Sequence, residues 1–273
     1  MTTEVLTLSE RQRLRAKRIK KHGLANIVTH WFNAFSWFVL LATGLAILGN
    51  PNLRIMPQGY VDVVRNLFGG IGRLVEAHKV FGLIWLFVIT YNVLLGFRKY
   101  FVPFAMKRML LDKDDIEWLK LKAKHLVGLD RDRPLPPQDA YNAGQKLYGY
   151  VVVFGTVVIG LTGLIMTFGY LLPPELRVIV QWARPLHFAA VGAIVAGLII
   201  HVYMAAFFPE EKEAFFSMIH GEVSALYARL HHRKWYEEKV QEEREYEMRV
   251  RLQEIEAREK ALEGELVETR GNS

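Results

Sequence analysis

Residues 185–208 read PLHFAAVGAIVAGLIIHVYMAAFF, a run of 24 residues without Asp, Glu, Lys or Arg. A helix needs about 20 apolar residues to cross a hydrocarbon core about 30 Å thick. Three further runs share this property and cover residues 24–48, 80–97 and 147–172. The pattern predicts an all-α membrane protein built as a bundle of four transmembrane helices, and it excludes a water-soluble fold.

The charged residues of the 273-residue chain lie between and beyond these runs. They divide it into a basic N-terminus (1–23), a membrane domain (24–208) and a C-terminal tail (209–273). The predicted spans cover about 24–48, 78–101, 147–172 and 185–208, with a long connection over 98–146. The tail is predicted to be a charged helix because it contains few helix breakers.

The basic residues predict the orientation of the bundle. Of the 35 Lys and Arg, 29 lie in the N-terminus, the 98–146 connection and the tail, which alternate spans place on one side of the membrane. The positive-inside rule assigns that side to the cytoplasm, so both termini of this multi-pass protein are expected inside, in a bacterial inner membrane. The first run exceeds the 7–15 residues of a signal-peptide core, so it is predicted to be an uncleaved span.

The composition also excludes several classes of site. The chain has no cysteine, which rules out disulfides, thiolate zinc sites, cysteine-ligated iron–sulfur clusters and covalently attached haem. The net charge of +7 is explained by the membrane flanks, and no nucleic-acid partner is expected.

Four of the nine histidines fall at the spans and sort into two depths. The direction of the helices places His78 and His187 near the outer face, and His30 and His201 near the inner face. On the fourth span, His187 and His201 are 14 residues apart. This separation is about 21 Å of helix, and it returns the side chain to within about 40° of the same face.

Imidazoles inside hydrocarbon need partners for their nitrogens. Two histidines facing each other at one depth are the axial ligand set of a haem b, which needs no cysteine. The alternative is that each histidine bonds a carbonyl or hydroxyl of a neighbouring helix. A proton relay is disfavoured because the four runs contain no Asp or Glu.

Several motifs resemble one known family, the gamma subunit of bacterial membrane-bound respiratory formate dehydrogenases, a di-haem cytochrome b. The similarity covers roughly residues 25–236. The matching segments are His30-Trp31, His78 with Phe81-Gly82, Tyr141-Asn142-Ala143-Gly144-Gln145-Lys146, His201-Val202-Tyr203-Met204-Ala205, 218–224 and 231–236.

The resemblance implies two haem b groups, an outer one held by His78 and His187 and an inner one held by His30 and His201. It also implies a menaquinone or ubiquinone site on the cytoplasmic side, at Asn142, Gly144 and His201. From the residues alone, Asn142 is equally well explained as a helix N-cap.

The resemblance further implies partners and a reaction. An iron–sulfur subunit and a molybdenum or tungsten catalytic subunit would supply electrons, and the resemblance is compatible with a higher oligomer of the complex. The chain itself contains no motif for oxidising formate. The alternatives are a cytochrome b subunit of a related hydrogenase or other oxidoreductase, a haem-free membrane anchor, and a small transporter or proton conductor.

Other charged and apolar positions allow two interpretations each. Basic residues near the haem ends either pair with propionates or extend to the membrane interface; these are Lys79, Arg184, Arg98 and Lys99. In the tail, five apolar residues follow a 4–3 spacing interrupted by Glu259, namely Met248, Leu252, Ile255, Leu262 and Leu266. This spacing suits a partner helix, although a solvated charged helix explains it too.

Overall fold

The computed structural model describes residues 6–271 and confirms the predicted membrane fold. Among these residues, four helices are long and apolar enough to cross a membrane: Leu24–Ile47, Ile71–Met109, Ala143–Leu171 and Pro174–Phe207. Few of their residues are buried inside the protein. An exposed apolar surface of this kind suits contact with lipid rather than water.

The regular elements follow one another in a simple order. They are α1 (Leu8–Ala16), β1 (Arg18–Lys20), α2 (Leu24–Ile47), α3 (Gln58–Leu67), α4 (Ile71–Gly96), α5 (Val102–Phe104), α6 (Lys113–Leu126), α7 (Ala143–Phe168), α8 (Val178–Val202), α9 (Lys212–His220), β2 (Glu222–Ser224), α10 (Ala225–His231) and α11 (Arg233–Gly271). Short π-helical turns extend α4, α5 and α8, and cover Phe97–Phe101, Ala105–Met109 and Tyr203–Phe207. Three 3-10 turns cover Gly169–Leu171, Pro174–Leu176 and Pro209–Glu211.

The second span differs most from its predicted limits of 78–101. It begins at Ile71, directly after Gly69 and Gly70, whose φ angles of 73° and 114° suit glycine and form the turn. It then continues to Met109 as 39 residues of helix, roughly 58 Å long at 1.5 Å per residue. This length exceeds the hydrocarbon core, so part of the predicted 98–146 connection is helix projecting beyond the membrane.

Small residues bring the helices together. The clearest contact joins α7 to α8, where a Cβ on Gly155 would lie 2.6 Å from Ile194. A Cβ on Gly160 would lie 2.9 Å from Leu86, so α7 also approaches α4 closely. Near the same level, the buried Trp85 indole donates a hydrogen bond to Asn33 of α2 at 2.9 Å. These contacts unite two helix pairs, α2 with α4 and α7 with α8, into one bundle.

A two-stranded sheet, not predicted from the sequence, ties together the ends of the bundle. β1 precedes the first span and β2 follows the fourth, and they pair antiparallel with Ile19 opposite Val223. Lys21 and His22 continue the contact, since both backbone N–H groups donate to the carbonyl of Gly221. The two chain segments therefore lie on the same side of the bundle.

The tail is helical, as predicted, and α11 extends over 39 residues. Its first turns are fixed by ion pairs to other segments. Glu238 pairs with Arg108 at 2.7 Å, and Glu243 pairs with Lys17 at 2.5 Å. The side chains of Met248, Leu252 and Ile255 are exposed, so the structure leaves both interpretations of the spacing open. The side chains of Leu262 and Leu266 lie outside the part of the chain that the structure describes.

A buried ion pair joins α6 to α7. Lys146 and Asp115 are 3% and 1% exposed, and the Lys146 ammonium donates to the Asp115 carboxylate at 2.6 Å. Lys146 also donates to the carbonyl of Leu110, and the Asp115 carboxylate accepts from the backbone N–H of Asp112. The pair therefore holds the start of α7 against the connection that precedes it.

Candidate functional site

The two outer histidines have matching environments. His78 on α4 lies 2.8 Å, through Nδ1, from the hydroxyl of Thr43 on α2. His187 on α8 lies 2.9 Å, through Nδ1, from the hydroxyl of Thr162 on α7. Each hydroxyl donates its single hydrogen to a carbonyl of its own helix, Thr43 to Val39 at 2.8 Å and Thr162 to Val158 at 2.6 Å.

These bonds determine the tautomer of both imidazoles. A hydroxyl that donates its hydrogen to a carbonyl can only accept from the histidine, so Nδ1 carries the proton in His78 and His187. The Nε2 atom then keeps its lone pair. A neutral imidazole whose Nδ1–H is held by a hydrogen bond is oriented to bind a metal through Nε2.

A glycine follows each threonine and leaves space for the ring. A Cβ on Gly44 would lie 3.4 Å from Cε1 of His78, and one on Gly163 would lie 3.7 Å from Cε1 of His187. The Thr-Gly-Leu sequence thus occurs twice, at 43–45 and 162–164, and each copy faces a histidine. Neither threonine was predicted as part of the site, although the repeated Thr-Gly-Leu segment is a signal that could have identified both.

The inner histidines are held differently. The His30 ring packs edge-on against Trp31 with ring centres 5.2 Å apart, and the His201 ring stacks on Tyr148 at 5.4 Å. Nδ1 of His30 is buried without a hydrogen-bond partner in the described part of the chain. An unpaired buried nitrogen is costly, and a ligand would satisfy it.

The structure brings together the pairs that were predicted by depth. His78 and His187 lie within electrostatic range of each other, and so do His30 and His201. Among residues 6–260, whose side chains the structure describes, there is no group of three or more His, Cys, Asp or Glu that could hold a metal ion. Sites with two imidazoles each fit a haem iron, whose remaining ligands come from the porphyrin.

A large cavity of about 2540 Å³ adjoins the inner pair, and both His30 and His201 line it. Asn142, Gly144 and Tyr148, at the beginning of α7, line the same cavity. The predicted quinone residues therefore border the same cavity as the inner histidines. The space could hold a planar macrocycle together with a second flat ligand.

Asn142 also caps α7, as the alternative interpretation expected. Its side-chain oxygen accepts from the backbone N–H of Gln145 at 2.9 Å, and the Gln145 side chain accepts from the N–H of Asn142 at 2.9 Å. This capping box does not use the Asn142 amide hydrogens. Capping and ligand binding are thus compatible for this residue.

The four basic residues considered for propionates have other surroundings. Lys79 pairs with Glu76 at 2.8 Å, and the Lys99 ammonium lies 5.4 Å from the centre of the Tyr100 ring. Arg98 and Arg184 are exposed. Neither Arg98 nor Lys99 lines the cavity, whereas Lys21 does.

Comparisons with known proteins show which family the chain is similar to. A family model described as prokaryotic cytochrome b561 matches residues 21–221. The formate dehydrogenase cytochrome b556 subunit of Haemophilus influenzae is 25% identical over 225 residues, which are 82% of this chain and 84% of that protein. The nitrate-inducible formate dehydrogenase cytochrome b556(Fdn) subunit of Escherichia coli K12 is 27% identical over 224 residues, 82% and 93% of the two chains. The names of these relatives agree with the resemblance drawn from the sequence.

Proposed function

The chain belongs to the prokaryotic cytochrome b561 family, and from this premise we propose that it is the membrane cytochrome b subunit of a respiratory formate dehydrogenase. Two haem b groups would carry electrons from an iron–sulfur subunit on the periplasmic side to a quinone on the cytoplasmic side. The similarity to two formate dehydrogenase subunits supports this choice of complex. A cytochrome b subunit of a related hydrogenase or other oxidoreductase is the alternative.

The two pairs of intramembrane imidazoles carry the proposal. His78 and His187 would hold the outer haem through Nε2, because Thr43 and Thr162 occupy Nδ1. His30 and His201 would hold the inner haem at the edge of the cavity. When bound, a haem b supplies reversible one-electron transfer at its iron.

The orientation follows from the charges and the sheet. The β1–β2 pairing keeps the basic N-terminal segment and the tail on one side, and the positive-inside rule favours the cytoplasm for that side. The turn at Gly69 and Gly70, and α3 before it, would then face the iron–sulfur partner. The molybdenum or tungsten subunit would bind beyond that partner.

This orientation gives the chain a role in energy conservation. Moving two electrons inward against roughly 100 mV costs about 4.6 kcal/mol. Quinone reduced on the inner side takes its protons from the cytoplasm, so the reaction contributes to the proton-motive force without a proton channel. Asn142 and Gly144 would bind the menaquinone or ubiquinone beside His201.

The direct test is the haem content and reactivity of the purified chain. We expect a b-type spectrum, two haems per chain by pyridine haemochrome assay, and reoxidation of the reduced protein by a short-tailed quinone. A colourless chain from cells with ample haem would identify a haem-free anchor instead. Copurification with the catalytic subunit would distinguish formate dehydrogenase from a hydrogenase.

The two threonines allow a finer test of the outer site. Thr43→Val and Thr162→Val remove the acceptor of Nδ1–H, and changes to such metal-ligand partners typically cost about 10–100-fold in metal affinity. We therefore expect each variant to transfer its outer haem to apomyoglobin about 10–100-fold faster, whereas Thr43→Ser should behave like the wild type. Unchanged transfer from both valine variants would contradict the assigned tautomer.

A further inference from the structure

Lys21 lies between β1 and α2, and its side chain is surrounded by aromatic rings. The Lys21 ammonium is 5.8 Å from the ring centre of Tyr141, 5.9 Å from that of Tyr227 and 5.8 Å from that of Trp235. The rings come from three segments, namely the connection before α7, α10 and α11. A cation among three aromatic faces is attracted by their negative π-surfaces but has lost much of its water.

The hydrogen-bond partner of Lys21 is a neutral imidazole. Nδ1 of His232 lies 2.6 Å from the backbone carbonyl of Asp139, so Nδ1 must carry the proton. Nε2 then accepts from the Lys21 ammonium at 3.1 Å. Burial and the nearby Lys21 lower the pKa of His232 to about 3. No ion pair joins Lys21 to a carboxylate in residues 6–260, the part of the chain with described side chains.

Burial and nearby carboxylates have opposite effects on the pKa of Lys21. Burial lowers the pKa of Lys21 to about 8, although the more distant Glu211 and Asp139 oppose the shift. Burial would raise the pKa of Glu211, but hydrogen bonds from His231 and Tyr227 outweigh it and lower the value to about 2. Glu211 therefore stays an anion near neutral pH.

Three further neighbours of Lys21 have shifted pKa values. Burial raises the pKa of Tyr227 and that of Tyr141. Burial, with the charges of Lys21 and His30, lowers the pKa of His22 to about 4. The titratable groups that face Lys21 from the packed segments are thus His22, Asp139, Tyr141, Glu211, Tyr227, His231 and His232. Among the groups whose pKa values are shifted, Lys21 differs because its ammonium and its neutral amine are both populated between about pH 7 and 9.

Lys21 also lines the cavity that adjoins the inner histidines. Tyr141, whose ring contacts the Lys21 ammonium, directly precedes Asn142 in the chain, and Asn142 lines the same cavity. Lys21 and the proposed quinone residues therefore border the same cavity, and Lys21 lies on the side of the bundle where β1 and β2 pair.

We propose that Lys21 delivers the protons consumed when quinone is reduced in this cavity. The inference rests on the proposed function and deepens it. Each quinone that accepts two electrons forms two O–H bonds. Each proton leaves the Lys21 ammonium as an N–H bond breaks, and water on the side of the termini then protonates the neutral amine again. Each proton that Lys21 gives to the quinone is therefore replaced by one from water, and Lys21 returns to its starting state.

The test compares Lys21→Arg and Lys21→Met with Lys20→Met in the full chain. Arginine keeps the cation and its contacts with the rings but does not release its proton. Lys20 is the adjacent, exposed residue of β1 and serves as the matched control. The protein is reduced with dithionite, and its reoxidation by a short-tailed ubiquinone or menaquinone is followed by stopped flow from pH 6 to 9.

In the wild type we expect the rate to fall as the pH rises through about 8, because the donor loses its proton. Lys21→Arg and Lys21→Met should be roughly 100-fold slower, within the usual contribution of general acid catalysis, and should lose this pH dependence. Their haem spectra should match the wild type, and Lys20→Met should react at the wild-type rate.

Two results would overturn the inference, and they are distinguishable. If Lys21→Arg reacts at the wild-type rate with the wild-type pH profile, Lys21 has only a structural role. If neither quinone reoxidises the wild type, the proposed quinone site is refuted, and the role of Lys21 falls with it.

Discussion

Replacing His78 or His187 with alanine is expected to lower the haem content from two per chain to one. Either change removes an iron ligand of the outer site, whereas the inner pair, His30 and His201, stays intact. A six-coordinate haem b depends on both of its imidazoles, so the loss of one is enough to empty the site or make it labile. The pyridine haemochrome assay and a redox titration of the purified variants measure the result.

The inner histidines provide the reciprocal experiment. His30→Ala and His201→Ala should also leave one haem, but the remaining haem should have the midpoint potential that is missing from the outer variants. The exposed His220 offers a control, since His220→Ala should keep both haems. Two haems in the His78→Ala or His187→Ala protein would show that the ligand pairs are wrongly assigned.

Lys146→Met is expected to destabilise the protein by about 3–5 kcal/mol, the usual cost of breaking a buried ion pair. The substitution leaves the Asp115 carboxylate, 1% exposed, without its cation. Asp115 must then be protonated or draw water into the contact between α6 and α7. The midpoint of denaturation in detergent, followed by circular dichroism, measures the change.

Two further variants separate the buried charge from a loss of packing. Lys124→Met breaks an exposed pair with Asp130, whose members are 53% and 45% exposed, and should cost at most about 1 kcal/mol. Adding Asp115→Asn to Lys146→Met removes the unpaired charge and should recover part of the lost stability. Equal effects of Lys146→Met and Lys124→Met would contradict a special role for the buried pair.

The four spans could be predicted because the requirement is local. A membrane helix must satisfy its backbone hydrogen bonds internally and present about 20 apolar residues to lipid, and both conditions are met within one continuous segment. The residues at which each span begins and ends were less predictable. The second span includes Arg73, Glu76 and Lys79 in its first turns, where polar headgroups accommodate charge, so a search for charge-free runs placed its beginning too late.

The candidate site was predictable to the extent that it follows helix direction. The depth of each histidine depends on its position along a helix and on the direction of that helix in the bundle, which was enough to predict the pairs His78 with His187 and His30 with His201. The hydroxyls of Thr43 and Thr162 were not predicted, because the rotation of α2 against α4, and of α7 against α8, decides which side chains meet a ring.

The membrane class, the four spans, the charge asymmetry and the order of the histidines along the helices could be predicted without a structure, since these properties depend on residues close together in the chain. The contacts between distant segments are visible only in the folded protein. Lys21 meets His232 across 211 residues, β1 meets β2, and Lys146 finds Asp115 in the preceding helix. No periodicity encodes such contacts, because they form only when packing of the whole bundle brings its ends together on one side.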